Sequence, residues 1–186
     1  MRRWGQGGVS CVVMLVHTLE SSICLRPGRA GDLEALLALE QKAFITDHLS
    51  RRSFRNFMTS PNAVLIVAEE ADQLAGYALV LFRPRSAVAR LYSIAAAVAG
   101  RGLGPILLNA AEKAAVRRAC DTLRLEVHEK NAAAIRRYRK SGYQLFGRRL
   151  SYYNDRGNAL RFEKRIDAQQ STGRKDSPSP DPSVAR

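Results

Sequence analysis

The junction between Ser93 and Asn109 constrains this chain most. Small residues from Ser93 to Ala96 end an apolar run, Gly100-Arg101-Gly102-Leu103-Gly104 follows, and Pro105 opens a helical pattern. Glycines at alternate positions let the backbone approach a ligand with no Cβ in the way. Proline at the first helical position loses nothing, because that N–H has no partner within the helix. The junction therefore reads as a strand, a glycine loop and a helix N-terminus whose free N–H groups suit phosphate oxygens. Two familiar phosphate loops are excluded by spacing. A Walker A loop needs Lys-Ser/Thr where Pro105-Ile106 stands, and the dinucleotide fingerprint needs glycines at its first, third and sixth positions, not its first, third and fifth. A glycine-rich turn without a ligand stays open on this stretch alone.

Length and composition fit one globular domain with a real core: 186 residues, 46% apolar and 25% charged. The net charge of +13 is carried by the body of the chain, since residues 26–166 hold 25 Lys and Arg against 13 Asp and Glu. Such a field attracts anions of any kind, including coenzyme A, acidic proteins and nucleic acid. The arginines are scattered, with short clusters at Arg51-Arg52, Arg117-Arg118 and Arg136-Arg137, so a dedicated nucleic-acid surface is not favoured. Cys11, Cys24 and Cys120 are odd in number and lack paired spacing, and His17, His48 and His128 are as scattered. That predicts a reduced, cytoplasmic protein with neither a disulfide framework nor a metal site.

Residues 1–22 read as an N-terminal extension, disordered or preceding a true start at Met14; the apolar run Val9–Val16 is too short to span a bilayer. A domain follows over 23–166, then a disordered tail over 167–186, rich in Ser, Pro, Gln and Asp. Within the domain the spacing predicts a strand from Ile23 ending at Pro27 and a helix capped by Asp32. A second helix starts at the Ser50 cap. A hairpin of Ala63–Ala68 and Leu74–Phe82 turns at Ala71-Asp72-Gln73, and a strand over Val88–Ala96 feeds the glycine loop. Beyond the Pro105 helix, Thr122–Val127 alternates, with Leu123, Leu125 and Val127 on one face and Arg124 and Glu126 on the other. A helix from Asn131 to Lys140 stops at Gly142, and closing strands at Tyr143–Phe146 and Ala159–Lys164 flank a loop at Tyr152–Gly157. The order implies an α/β (α+β) fold on one mixed, mostly antiparallel sheet flanked by helices, not a doubly wound parallel sheet.

The phrase Leu125-Glu126-Val127, three residues, Asn131-Ala132-Ala133-Ala134-Ile135, two residues, Tyr138, three residues, Gly142-Tyr143 is far more specific than the glycine loop. Together with Leu91–Gly104 it resembles the GNAT acetyltransferases, most closely the group that modifies the N-terminal alanine of ribosomal proteins. The resemblance covers about residues 23–166. It implies the GNAT acyl-CoA N-acyltransferase fold and acetyl transfer from acetyl-CoA to a primary amine, foremost a protein N-terminal α-amine, with no metal. A protonated amine cannot attack, so a carboxylate must take or relay its proton; the resemblance gives that role to Glu126. It gives Tyr138 the role of general acid to the leaving thiolate, a phenol with an ordinary pKa near 10. It further implies that Ser93, Ile94, Ala95 and Ala96 hold the thioester and pantetheine arm through their backbone, and that Gly100, Arg101, Gly102, Leu103 and Gly104 hold the pyrophosphate. By the same resemblance Asn131 contacts the coenzyme, and Tyr152 and Tyr153 line the acceptor entrance.

Glu129 and His128 are rival bases on residue type. The loop departs from the family pattern, with Ala99 where Arg or Gln is usual and no proline in Ala96-Ala97-Val98. A small-molecule amine as acceptor, a non-catalytic CoA-binding module and RNA or ribosome binding through the basic surface are the alternatives. A monomer or weak dimer with no membrane attachment is expected.

Overall fold

A computed structural model describes residues 15–18, 21–44, 47–98 and 101–166. The expected tail beyond 166 and residues 1–14 lie outside the described residues. Among the described residues eight strands form one sheet: β1 (Leu15–Thr18), β2 (Ser21–Pro27), β3 (Ala63–Glu70), β4 (Gln73–Leu81), β5 (Val88–Ala96), β6 (Thr122–His128), β7 (Gln144–Arg149) and β8 (Ala159–Arg165). Their spatial order is β1-β2-β3-β4-β5-β6-β8-β7. Every neighbouring pair is antiparallel except β5 and β6, the mixed, mostly antiparallel sheet that the element order implies. The strand β1 falls in the segment read as an extension and pairs with β2.

Four described helices cover the two faces: α1 (Leu33–Ala43), α2 (Arg51–Thr59), α3 (Leu103–Arg117) and α4 (Ala132–Lys140). Leu33, Leu36 and Leu39 of α1 and Phe54 of α2 pack with Leu65, Val67, Tyr77, Leu79 and Ala95 on one face. Leu107, Leu108 and Ala111 of α3 and Tyr138 of α4 pack with Leu91, Leu123, Leu125, Val127 and Phe162 on the other. The alternation read in Thr122–Val127 thus puts its leucines toward α3 and α4, and Glu126 toward the α1/α2 face.

Local chemistry sets the boundaries. Ser50 Oγ accepts from Ser53 N at 3.1 Å and caps α2, as expected. Asp32 behaves differently from expectation. Its carboxylate makes no cap bond to α1 but accepts from Arg29 N at 2.7 Å, closing a 3₁₀ turn at Ala30–Asp32, and from Arg26. The helix α3 begins at Leu103, two residues before Pro105, because Gly102 at φ +76° turns the chain and serves as N-cap. Pro105 still lies in the first turn, where its missing N–H breaks no helical bond.

One acidic side chain is buried in the α1/α2 face. Glu40 is 2% exposed; it accepts from Leu49 N at 2.9 Å and from the Tyr77 hydroxyl, which also meets Ser93 Oγ at 2.7 Å. Burial raises the Glu40 carboxyl above the usual carboxylate range.

Candidate active site

The sheet opens where β5 and β6 part. Their parallel pairing runs only from Val88–Leu91 against Thr122–Leu125, although β5 continues to Ala96 and β6 to His128. From Ser93 to Ala96, β5 keeps β4 as partner and, among the described residues, has no strand on its other side. A sheet edge of this kind offers unpaired N–H and C=O groups to an extended ligand. A bulge brings Tyr92 into β5 beside Ser93, since Leu79 pairs with Ser93 and Val80 with Leu91. Ser93 Oγ meets Tyr77, while Ile94 and Ala96 pack toward the α3 side. The four residues expected to hold a pantetheine arm therefore line the opening.

Glu126 is the first residue of β6 beyond the parallel pairing. Its side chain is 12% exposed and lies between two guanidinium groups. Arg90 Nε on β5 donates to Oε2 at 2.8 Å, and Arg161 Nε on β8, directly across the ladder, lies 3.7 Å from Oε1. Arg90 also donates through Nη2 to the Tyr152 hydroxyl at 2.6 Å. One fork thus fixes both the carboxylate and the loop after β7.

Tyr138 sits on the opposite face, 7% exposed, its ring 5.8 Å from Tyr143 and 6.4 Å from Phe162. Burial pushes its hydroxyl from the ordinary value up to about 12, with the nearby Arg137 charge pulling the other way. The ordinary acidity assumed from sequence is thus corrected. The phenol keeps its proton at neutral pH, as a donor to a leaving group must, but is a weaker acid than an unburied tyrosine.

The rival bases, like Glu126, have partners of their own. His128 Nδ1 accepts from Lys130 N at 3.1 Å, which places the ring proton on Nε2, facing Asp155 Oδ2 at 3.1 Å. Its ring also lies 4.9 Å from that of Tyr153. His128 is thereby the anchor of the Tyr152–Gly157 loop. Glu129 pairs with Arg148 and accepts from Asn158 Nδ2 at 2.7 Å; these contacts hold its carboxyl below the usual range against the opposing effect of desolvation. Tyr152 and Tyr153 stack edge to face at 5.1 Å over the Glu126 side. Burial, together with the negative charge of Glu126 among others, raises the Tyr153 hydroxyl.

The glycine loop divides its duties unexpectedly. Gly100 lies outside the described residues. Gly102 supplies the left-handed turn, and Leu103 is buried under the sheet. A Cβ added at Gly104 would lie 3.0 Å from Arg137 Nη1, so the flexible end of Arg137 rests directly on this glycine. Arg101, read as a phosphate ligand, is exposed and pairs with Glu70 on β3 at 3.0 Å. The guanidinium laid over the first turn of α3 is that of Arg137 from α4. A cation beside the positive end of a helix gains nothing from that end, whereas a phosphate at that turn would meet the helix N–H groups with the Arg137 guanidinium beside them. These are the groups of the described loop that would hold a coenzyme pyrophosphate. Asn131 Oδ1 is spent capping α4, accepting from Ala134 N at 3.0 Å, which leaves its amide nitrogen as the group able to meet a ligand.

Arg90, Arg161 and Arg137 were missed by sequence reasoning, since an arginine in a basic chain carries no signal until its neighbours are known. No group of three or more potential metal ligands occurs among the described residues, and no described helix is long and apolar enough to cross a membrane.

Residues 33–143 match the acetyltransferase (GNAT) family. A Bacillus subtilis (strain 168) protein, provisionally assigned as a [ribosomal protein bS18]-alanine N-acetyltransferase, is 26% identical over 139 residues, covering 75% of this chain and 92% of its own. The crystal structure of the ribosomal-protein-S18-alanine N-acetyltransferase from Escherichia coli superposes with a TM-score of 0.70 at 26% identity, over 77% of this chain and 94% of that one. Ard1 from Thermoplasma volcanium shares the fold, with a TM-score of 0.70 at 22% identity, over 77% of this chain and 97% of that one. With sheet, opening and loop in agreement, the chain belongs to the GNAT family of acetyltransferases, acetyl-CoA-dependent enzymes that acetylate an amine.

Proposed function

We propose that this enzyme acetylates a protein N-terminal α-amine, with Glu126 as general base and Tyr138 as general acid. The observation that carries the reading is the place of Glu126. Its carboxylate stands at the parting of β5 and β6 on the α1/α2 face, fixed by Arg90 and covered by the Tyr152–Gly157 loop. The similarity to ribosomal-protein-alanine acetyltransferases supports a peptide acceptor. Acetyl-CoA supplies the activated acetyl group.

In this arrangement the amine approaches from the α1/α2 face and loses its proton to Glu126, directly or through one water. The backbone of Ser93–Ala96 positions the thioester along the open strand edge, where fixed N–H groups stabilise the developing oxyanion. Tyr138, from the other face, gives its proton to the departing sulfur. The first turn of α3, with Arg137 above it, holds the phosphates away from the reacting carbon. Incubating the full chain with acetyl-CoA and an N-terminal peptide library, with polyamines and aminoglycosides in parallel, tests the assignment by mass. Acetylation confined to the small amines would overturn it. The odd number and unpaired spacing of Cys11, Cys24 and Cys120 support the cytoplasmic site proposed for the protein.

A further inference from the structure

The face that presents Glu126 carries more positive charge than its carboxylates can match. Arg90 and Arg124 stand directly opposite each other on β5 and β6, a pairing of like charges that is unfavourable unless each finds an anion. Arg124 Nε takes Glu163 at 2.8 Å, and Arg90 takes Glu126 at 2.8 Å. That leaves Arg161 over. It faces the second oxygen of Glu126 only at 3.7 Å, and its Nε is buried with no hydrogen-bond partner. A charged donor buried without a hydrogen-bond partner is unfavourable. Arg161 and Arg124 also lie over the same ring, Phe146, at 4.5 and 4.8 Å. Arg149 rests on the Tyr152 ring at 5.7 Å with no carboxylate among the described residues. On strands β5 to β8 of this face the guanidinium groups of Arg90, Arg124, Arg161 and Arg149 thus outnumber the carboxylates of Glu126 and Glu163, with aromatic rings between them, while Asp47 is engaged by the Asn154 N–H of the loop.

A cationic side chain beside the reacting amine would be repelled here, and a carboxylate would be drawn in. Neighbouring strands lie about 4.8 Å apart and successive peptide units span about 3.3–3.6 Å each. An α-amine at Glu126 therefore brings a side chain one or two residues along to the neighbourhood of Arg161 and Arg149. We propose that the enzyme selects acceptors carrying a carboxylate close to the reacting amine, with Arg161 and Arg149 as the selecting cations. The inference rests on the acetyl-transfer reading of Glu126 and narrows its substrate class. Two sources share this chemistry: a peptide with an acidic residue second or third from its N-terminus, and a free acidic amino acid.

The test uses the full chain, acetyl-CoA and peptides beginning Ala-Asp, Ala-Asn or Ala-Lys but otherwise identical, with aspartate and glutamate in parallel. The Ala-Asp peptide is expected to exceed Ala-Lys by about 10-fold or more in kcat/KM, the scale of a hydrogen bond to a charged group, chiefly through KM. Added salt should shrink that ratio. Arg161→Gln should bring the ratio close to one and Arg161→Lys should keep part of it. Arg149→Gln, on the surface, gives a second measurement should Arg161→Gln fail to fold. Because a ratio between peptides is read, a general loss of activity does not imitate the effect. Equal acetylation of all three peptides overturns this inference and leaves the peptide reading standing. Acetylation of the free amino acids alone, with the same arginine dependence, overturns the peptide reading and leaves the inference standing. If protein that binds acetyl-CoA acetylates none of these acceptors, both fall.

Discussion

Glu126 and Tyr138 stand on opposite faces of one sheet, on either side of the opening between β5 and β6. Glu126 shares its face with Arg90, Arg161 and the Tyr152–Gly157 loop, while Tyr138 lies in the apolar layer of Leu107, Leu125 and Phe162. The separation gives the two groups different surroundings, ionic for Glu126, the proposed base, and apolar for Tyr138, the proposed acid. Burial in that apolar layer raises the Tyr138 hydroxyl and keeps it protonated, while the Glu126 carboxylate is hydrogen-bonded to Arg90.

From that contrast follow distinct effects for the two conservative variants. Tyr138→Phe keeps the ring between Tyr143 and Phe162 and removes only the proton donor. It is expected to lower kcat by about 10²-fold or more, within the range of general acid–base catalysis, with acetyl-CoA affinity by calorimetry near wild type. Glu126→Gln should lower kcat comparably and also loosen the loop, since Arg90 loses its anion. A Tyr138→Phe enzyme turning over at the wild-type rate would remove Tyr138 from the mechanism.

Arg90 couples Glu126, the proposed base, to the Tyr152–Gly157 loop through a single planar fork. Arg90→Gln should reduce kcat/KM by about 10-fold, the scale of losing hydrogen bonds to a charged group. Arg90→Lys should recover little of this, because an ammonium cannot present two donors in fixed planar geometry. Protease sensitivity of the Tyr152–Gly157 loop should rise in both variants; a loop as protected as in wild type would contradict the coupling.

The elements legible in the sequence are those whose signal is local. Alternation in Thr122–Val127 placed Glu126 opposite the leucines, the Ser50 cap located α2, and the Asn131–Tyr143 phrase placed α4 within a residue. What escaped was set by partners distant in the chain. Asp32 looks like a helix cap, yet Arg26 and the Arg29 N–H claim its carboxylate. The ion pair of Arg101 with Glu70 on β3 likewise joins residues far apart in the chain. Arg137 occupies the place over α3 that no spacing along the chain points to.

Gly104 separates stability from coenzyme binding. Alanine there adds a good helix former to the first turn of α3, worth up to about 0.5–1 kcal/mol, and requires only the flexible end of Arg137 to move. The melting temperature of Gly104→Ala should stay level or rise slightly, whereas its Kd for CoA should weaken by about 10-fold if the phosphates need both groups. Comparing CoA with acetyl-pantetheine locates the loss, as only the phosphate-bearing ligand should suffer. Unchanged CoA affinity would detach the Gly104–Arg137 cradle from the phosphates.

Glu40 should make stability depend on pH in an unusual direction. Its carboxyl is raised in the folded protein by burial, so folding favours the protonated form. The contribution is fully present below the unfolded value of about 4.3 and is lost as pH rises through the higher folded value. Asp32, held below the usual range chiefly by Arg26, works in the opposite sense and loses its contribution only as pH falls through the acid region. Between pH 5 and 8, Glu40→Gln should therefore flatten the decline in melting temperature. Its amide carbonyl can still accept from Leu49 N, and Tyr77 can turn its hydroxyl toward Ser93. The variant should equal or exceed wild type in thermal stability at pH 8 and lose that advantage near pH 5. A variant less stable than wild type at pH 8 would show instead that the ionised carboxylate, accepting from Tyr77 and Leu49, is the form the fold requires.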